Sequence, residues 1–439
     1  MPTLKRQLNL LHCTLMGIGV MLGAGIYALV GQAAGMAGNT VWASFLIAGV
    51  VAIFTALSYA ELSSFIPKAG GQYFFARRAF GPLVGFIVSW LIQVGIAIGS
   101  AAVALGFGGY LEALTGIDKV WAASLLIAAT ACLLVYGIRE SAWVAGICTA
   151  VEVIGLAIIV VVGLPKLGSI EYFETASAGH TGVWTAAALV FFAYIGFEEI
   201  VQLSEETVDS TRVIPLTILL SISITAVLYI LVAICAVSVL GWQALGESDA
   251  PLADVAAVAL GNQAFLLLSI IALFSTGNTV LIFLLSGARL MYGMAEDGAL
   301  PRSLAKVHKT RHTPFVSSLV VSIAALIVVV VMQDITQVAN LTNFALLFAF
   351  VVVNASVIAL RFREDDVPRP FRIPGNIGKV PVIPVLGMVS SLVMIYFVGP
   401  KIILAGSGLI VFGLAVYLIG RPSRLRRSTD SPPSPEKTA

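Results

Sequence analysis

The sequence predicts an all-α protein that threads a membrane repeatedly, and three observations carry that prediction. Hydrophobic residues make up 59% of the 439 residues and charged residues only 11%, against roughly 25% charged in soluble domains. The apolar residues gather in twelve runs, mostly near or above the ~18–20 residues that a helix needs to cross hydrocarbon. With the amino terminus placed inside, all 25 lysines and arginines except Lys119, Lys166 and Lys401 fall on the inner side, as the positive-inside rule requires.

The predicted spans are 11–35, 41–66, 83–113, 120–137, 142–164, 184–203, 215–240, 263–293, 315–332, 337–360, 384–400 and 402–420. The first follows Lys5 and Arg6 as a signal peptide would, but its apolar stretch continues to about residue 35, so it is read as an uncleaved span. It carries Gly17, Gly19, Gly23, Gly25, Gly31 and Gly35. Two readings of those glycines stand side by side. One is close helix packing, since Gly19 and Gly23, like Gly31 and Gly35, are four apart. The other is an unwound stretch around Gly23-Ala24-Gly25, where freed amides suit a carboxylate and freed carbonyls suit a cation. No strand precedes the glycines, which excludes a dinucleotide-binding fingerprint.

The loop PKAGGQYFFARRAFGP (67–82) is amphipathic and basic, and predicts a short cytoplasmic surface helix. The sixth run, FFAYIGFEEIVQLSEET, sets aromatics around Gly196 and then places Glu198 and Glu199 directly after the break. Carbonyls of an opened turn there could receive an ammonium under an aromatic lid. Counted from the two broken spans, runs one to five and six to ten form two sets of five. Interrupted helices at matching places in two halves point to a transporter's binding site, and an odd number of spans per set makes the repeat inverted. The outer loop 241–261 is acidic, with a helix expected from Leu252 to Leu260.

Other residues carry weaker signals. Cys13, Cys132, Cys148 and Cys235 all lie in apolar runs and are expected as small buried hydrophobes without a disulfide framework. Gln93, Ser100, Asn278, Asn343 and Asn354 are intramembrane polar groups, for which helix-to-helix bonding is favoured over facing substrate. His308 and His312 are four apart in a basic loop lacking further ligand types, which argues against a metal site. Glu205 and Glu206 suit salt bridges to inner-side arginines, and Arg424, Arg426 and Arg427 suit anionic headgroups. The tail 421–439 is Pro/Ser-rich and expected to be disordered.

Four motifs in order, namely GAGI in the first span, PKAGGQYFFARRAFG, FFAYIGFEEIVQLSEET and ARLMYGMAEDGALP, resemble the amino acid–polyamine–organocation superfamily. The resemblance covers spans one to ten. It implies a leucine-transporter-like fold: a first repeat within 1–164, an extracellular loop 165–183, a second, inverted repeat within 184–361, and two added helices within 362–420. It also implies a substrate site. Amides around Gly23, Ala24, Gly25 and Ile26 would meet a carboxylate. Carbonyls of Phe191, Ala193 and Tyr194, beside Gly196, would meet an α-ammonium.

The fifth span departs from the family pattern. Where relatives often carry a mid-helix lysine, this chain has Glu152. An ionisable group inside a span is a functional candidate by default, because burying it charged costs several kcal/mol unless it is paired. Glu152 is therefore expected either to carry a proton or to ligate a cation, with a structural carboxyl as the plain alternative. A cation-like site would draw carbonyls from Gly19 and Leu22 and hydroxyls from Ser275 and Thr276. Glu198 and Glu199 are candidates for gating or exit.

Together these readings predict a secondary active transporter of neutral amino acids in the cell membrane, with both termini cytoplasmic and alternating access around a mid-membrane site. Proton coupling is favoured over sodium coupling or exchange. The same fold acting as an amino acid sensor without flux is the rival class. The chain shows no filter repeat of a channel and no nucleophile–base pair of an enzyme. No cofactor and no nucleic acid partner is expected beyond a coupling ion, the substrate and the bilayer, and the oligomeric state is left open.

Overall fold

The computed structural model describes residues 8–67, 71–136, 142–205, 207–296, 298–308, 311, 313–378 and 380–420, without the side chains of 24, 142–148, 202, 205 and 420. The basic residues Lys5, Arg6, Lys68 and Arg139, together with Glu206, His312 and the tail 421–439, lie outside the described residues, as do the side chains of Cys148 and Glu205.

Helices fill every predicted apolar run. They are α1 (Leu10–Met21), α2 (Ala24–Tyr27), α3 (Leu29–Ala37), α4 (Val41–Phe65), α5 (Gly71–Phe80), α6 (Pro82–Thr115), α7 (Lys119–Tyr136), α8 (Ala142–Gly163) and α9 (Gly179–Val190). There follow α10 (Ser210–Leu240), α11 (Trp242–Glu247), α12 (Pro251–Leu260), α13 (Asn262–Glu296), α14 (Phe315–Met332), α15 (Ile335–Arg363), α16 (Val382–Phe397) and α17 (Pro400–Gly420). Among the described residues, ten helical segments are long and apolar enough to cross a membrane alone. The two other predicted spans are built differently. The first is split into α1, α2 and α3, and the eleventh, α16, has 16 residues. A chain with this many apolar helices is a multi-pass membrane protein.

Packing separates a centre from a periphery. The apolar windows of α6 and of the sixth span are 83% buried, whereas that of α17 is 11% buried, so α17 faces lipid and α6 threads the middle. Three helices pack on the helix five spans further on, α4 on α10, α6 on α13 and α7 on α14, whereas α8 packs on α10, α1 and α13. The broken first span follows the same rule, with α2 against residues 191–194 and α1 against residues 197–205.

The predicted surface helix is α5, whose Arg77 and Arg78 are exposed while Phe75 packs edge-on against Tyr59. The predicted outer-loop helix is α12, which begins at Pro251, where a proline in the first turn loses no helical hydrogen bond. One expectation fails: Cys132 is exposed. It sits on α7, a helix with only 28% of its apolar window buried, and an apolar side chain there is solvated by lipid as readily as by protein. Cys13 and Cys235 are buried as expected.

Polar side chains inside the bundle make mostly backbone bonds. Asn343 donates to the Ala188 and Leu189 carbonyls at 2.7 and 3.1 Å, just before the sixth-span break. Asn354 joins α15 to α4 through Thr55 and Ser58. Ser100 bonds its own helix at Ile96. His308 meets the Phe315 ring edge-on, and no cluster of three His, Cys, Asp or Glu side chains occurs among the described residues.

Candidate functional site

The first break is built by α1 stopping at Met21 and the chain restarting as α2 at Ala24. Leu22 is already extended, with ψ 134°, so the carbonyls of the last turn of α1 lose their helical donors, and the amides of Gly23 to Ile26 become first-turn donors without helical acceptors. Only the next amide, Tyr27 N–H, closes a turn, on Gly23 O at 3.1 Å.

The second break is a change of winding. Residues Phe191–Tyr194 and Phe197–Glu205 are 3₁₀ helix, and Ile195 and Gly196 between them leave the helical region. Gly196 has φ +121°, a conformation that side-chain-bearing residues rarely adopt. A Cβ there would also sit 2.7 Å from Val20 Cγ1 of α1. Glycine is thus required twice over, by torsion and by contact. The freed, buried amide of Gly196 donates to Glu198 Oε2 at 2.9 Å, so the first acid after the break caps it.

The two breaks touch. A Cβ on Gly25 would overlap the backbone of Ala193, so Gly25 lets the two loosened segments come into contact. Tyr229 of α10 fastens them together: its hydroxyl lies 2.7 Å from Met21 O and 3.0 Å from Ala193 O. Leu22 O accepts from Thr279 Oγ1 of α13 at 3.2 Å, and Tyr27 O accepts from Tyr110 at 2.6 Å. Ile26, Phe191, Ala193 and Tyr194 are all buried. The Tyr194 hydroxyl is taken by Phe45 O at 2.8 Å, and Phe191 packs on Phe350. A cavity of about 40 Å³ lies beside Ala28, with Gln32, Lys119 and Asp249 among its lining.

Glu152 projects from α8 into the same region and is fully buried. Asn278 Nδ2 lies 3.5 Å from its Oε1, Ser275 sits one helical turn away on the same face of α13, and the Tyr27 hydroxyl donates to the Glu152 backbone carbonyl at 2.9 Å. Apart from a longer-range approach to each other, Glu152 Oε2 and Ser275 Oγ make no close hydrogen bond. Thr276 donates back to Ala272 O at 2.7 Å within its own helix. Gly19 abuts the Thr149 side chain of α8, where a Cβ would overlap it. Thr279, one turn beyond Ser275, is the hydroxyl that reaches the first break. Glu199 accepts from Ser286 of α13 at 3.0 Å and so ties the sixth span to the eighth.

The sequence reading missed Tyr229, Tyr27, Tyr110 and Thr279. Lone tyrosines in apolar runs give no periodic signal, although a buried phenol must find an acceptor, and broken helices are where acceptors are free.

A multi-pass helical membrane protein in which two interrupted spans meet around freed backbone groups is the class that this geometry defines. The amino acid permease family model matches residues 8–419, and the chain belongs to that family. It is 31% identical to the branched-chain amino acid permease BcaP of Bacillus subtilis over 95% of this chain and 93% of that one. It is 30% identical to cationic amino acid transporter 4 of Mus musculus over 83% of this chain and 61% of that one. A methylthioribose transporter of Bacillus subtilis is 29% identical over 88% and 86% of the two chains.

Proposed function

We propose that this protein is a secondary active transporter of neutral amino acids, driven by protons and working by alternating access in the cell membrane. The observation that carries the reading is the meeting of the two breaks at Tyr229, with first-turn amides on one side and freed carbonyls on the other. Such a pair of ends suits a zwitterion: amides at Gly23–Ile26 for the carboxylate, and carbonyls around Phe191, Ala193 and Tyr194 for the ammonium. The surrounding side chains are largely apolar or tyrosine, which favours a neutral side chain. The likeness to a branched-chain amino acid permease supports the same choice.

Glu152 is the proposed proton carrier. Its carboxyl shares a buried setting with the Ser275 and Asn278 side chains, polar neighbours that suit a proton on the carboxyl or a cation held by the same oxygens. Leu22 O and Thr279 beside them give sodium coupling its specific support. The two five-span sets are proposed as inverted repeats, consistent with packing between helices five spans apart. Purified protein in liposomes, given a panel of radiolabelled amino acids with imposed pH or sodium gradients, tests the proposal. Saturable accumulation against a gradient supports transport, the effective gradient names the ion, and binding without flux would make the protein a sensor instead.

A further inference from the structure

The fifth span, α8, has two contrasting faces. Glu152, Gly155, Leu156, Ile159 and Gly163 recur at helical spacing and are buried against the bundle. Gly155 and Gly163 sit so close to Ile271 and Cys235 that a Cβ on either would overlap them. On the reverse face, Ile154, Ala157, Ile158, Val161 and Pro165 recur at the same spacing and line a groove of about 740 Å³, within the ~300–1,000 Å³ of ligand clefts. Ala157, small among larger neighbours, makes the hollow. The last turn of α12, Val258 to Leu260, supplies the second wall, and the exposed Lys166 closes one end. No carboxylate lines the groove, and Lys166 has no ion-pair partner among the described residues.

The groove has the dimensions of one leaflet. The stretch from Ile154 to Lys166 rises about 18 Å at ~1.5 Å per residue, and half of the ~30 Å hydrocarbon core is about 15 Å. Its apolar floor therefore runs from mid-core, level with Glu152, to the interface, where the lysine stands. We propose that this groove is a binding site for one anionic phospholipid. An acyl chain lies along Ile154 to Val161 beneath α12, and the headgroup phosphate meets Lys166. The lysine supplies the choice of headgroup, because an unpaired ammonium near the membrane surface favours an anionic lipid about fivefold. The hollow at Ala157 supplies the affinity for the chain, by apolar contact on two sides rather than one. The bound lipid lies on the back of the helix that carries Glu152 and braces α8 against α12.

The test is lipid retention by the full chain in detergent, read by native mass spectrometry after titration with phosphatidylglycerol or phosphatidylcholine of the same acyl chains. Wild type is expected to hold one phosphatidylglycerol about fivefold more tightly than phosphatidylcholine, and to gain thermal stability from it. Lys166→Gln should hold the two lipids equally. Ala157→Phe, which fills the hollow from an exposed position, should weaken both at least fivefold. Leu125→Phe, on the exposed face of α7, should match wild type. Equal retention of the two lipids by wild type, a preference that survives Lys166→Gln, or an Ala157→Phe variant that loses no more lipid than Leu125→Phe overturns the proposal. So does a wild-type dimer that Ala157→Phe dissolves without altering lipid retention, which would give the groove to a second copy of the chain. None of these readouts depends on transport, so the site and the proposed function stand or fall separately.

Discussion

Glu61 in α4 and Arg361 in the last turn of α15, 300 residues apart in sequence, form a two-armed ion pair that is almost completely buried. The pair is not isolated. Ile373 N–H also donates to Glu61 at 2.9 Å, Arg361 reaches Asn376 and the Ile373 carbonyl, and Arg369 stands 3.5 Å from Glu61 and over the Phe65 ring. The loop between α15 and α16 is thereby stitched to the end of α4. Beside this cluster, Arg78 of α5 pairs with Glu364 at 2.7 Å.

Glu61→Ala leaves Arg361 buried without its carboxylate. Breaking one side of a buried, hydrogen-bonded pair costs about 3–5 kcal/mol. The expected result is a marked fall in the thermal unfolding midpoint of the detergent-solubilised protein. Arg78→Ala, which breaks the partly exposed Arg78–Glu364 pair, should cost about 1 kcal/mol or less and lower the midpoint correspondingly little. Equal shifts for the two variants would contradict this ranking.

Gly196→Ala places a side chain at φ +121° and against Val20. The torsional strain alone is about 1–3 kcal/mol. Uptake should fall at least tenfold while the protein still reaches the membrane, because the strain falls on the break and the fold's long helices are untouched. Wild-type uptake by this variant would mean that the break is not used.

Glu152→Gln keeps the size of the carboxyl and removes its ability to exchange a proton. Under the proposed coupling, wild type accumulates substrate faster when the outside is made acidic, and the variant should equilibrate substrate with a flat pH response. Full pH dependence together with uphill accumulation in the variant would remove Glu152 from the coupling step.

Thr279→Val deletes the hydroxyl that joins Leu22 O to α13 while preserving shape. A sodium-driven carrier should lose its sodium response. A proton-driven one should show only a modest loss of affinity, from the freed Leu22 carbonyl, at an unchanged pH response. Uptake assayed in separate sodium and proton gradients distinguishes the two.

Hydropathy alone reveals where the helices lie, because a chain in lipid must close its backbone bonds within each segment. Gly196 was legible as a break because aromatics and two acids crowd it, and α5 because its charges lie on one face. The contacts that make a site of the two breaks were not legible. Tyr229 stands alone in an apolar run, and nothing local to it indicates that Met21 and Ala193 lie within reach. Glu61 was likewise one acid near the end of a long hydrophobic stretch, and Arg361 one of many basic residues between the apolar runs; their pairing spans 300 positions. Ser275 and Thr276 are adjacent in sequence, yet a helix turns adjacent residues about 100° apart, which explains why Thr276 bonds its own backbone and Thr279 reaches the break.

The winding of residues Phe197–Glu205 has a consequence in length. Nine residues of 3₁₀ helix extend about 18 Å at ~2.0 Å per residue, against about 13.5 Å for the same residues as α-helix. Rewinding this segment would shorten the sixth span by about 4–5 Å with no change in its side chains. The end attached to α10 would then be drawn toward Gly196, or the break toward α10. A change of winding confined to Phe197–Glu205 would therefore move its ends relative to each other by nearly one turn of α-helix.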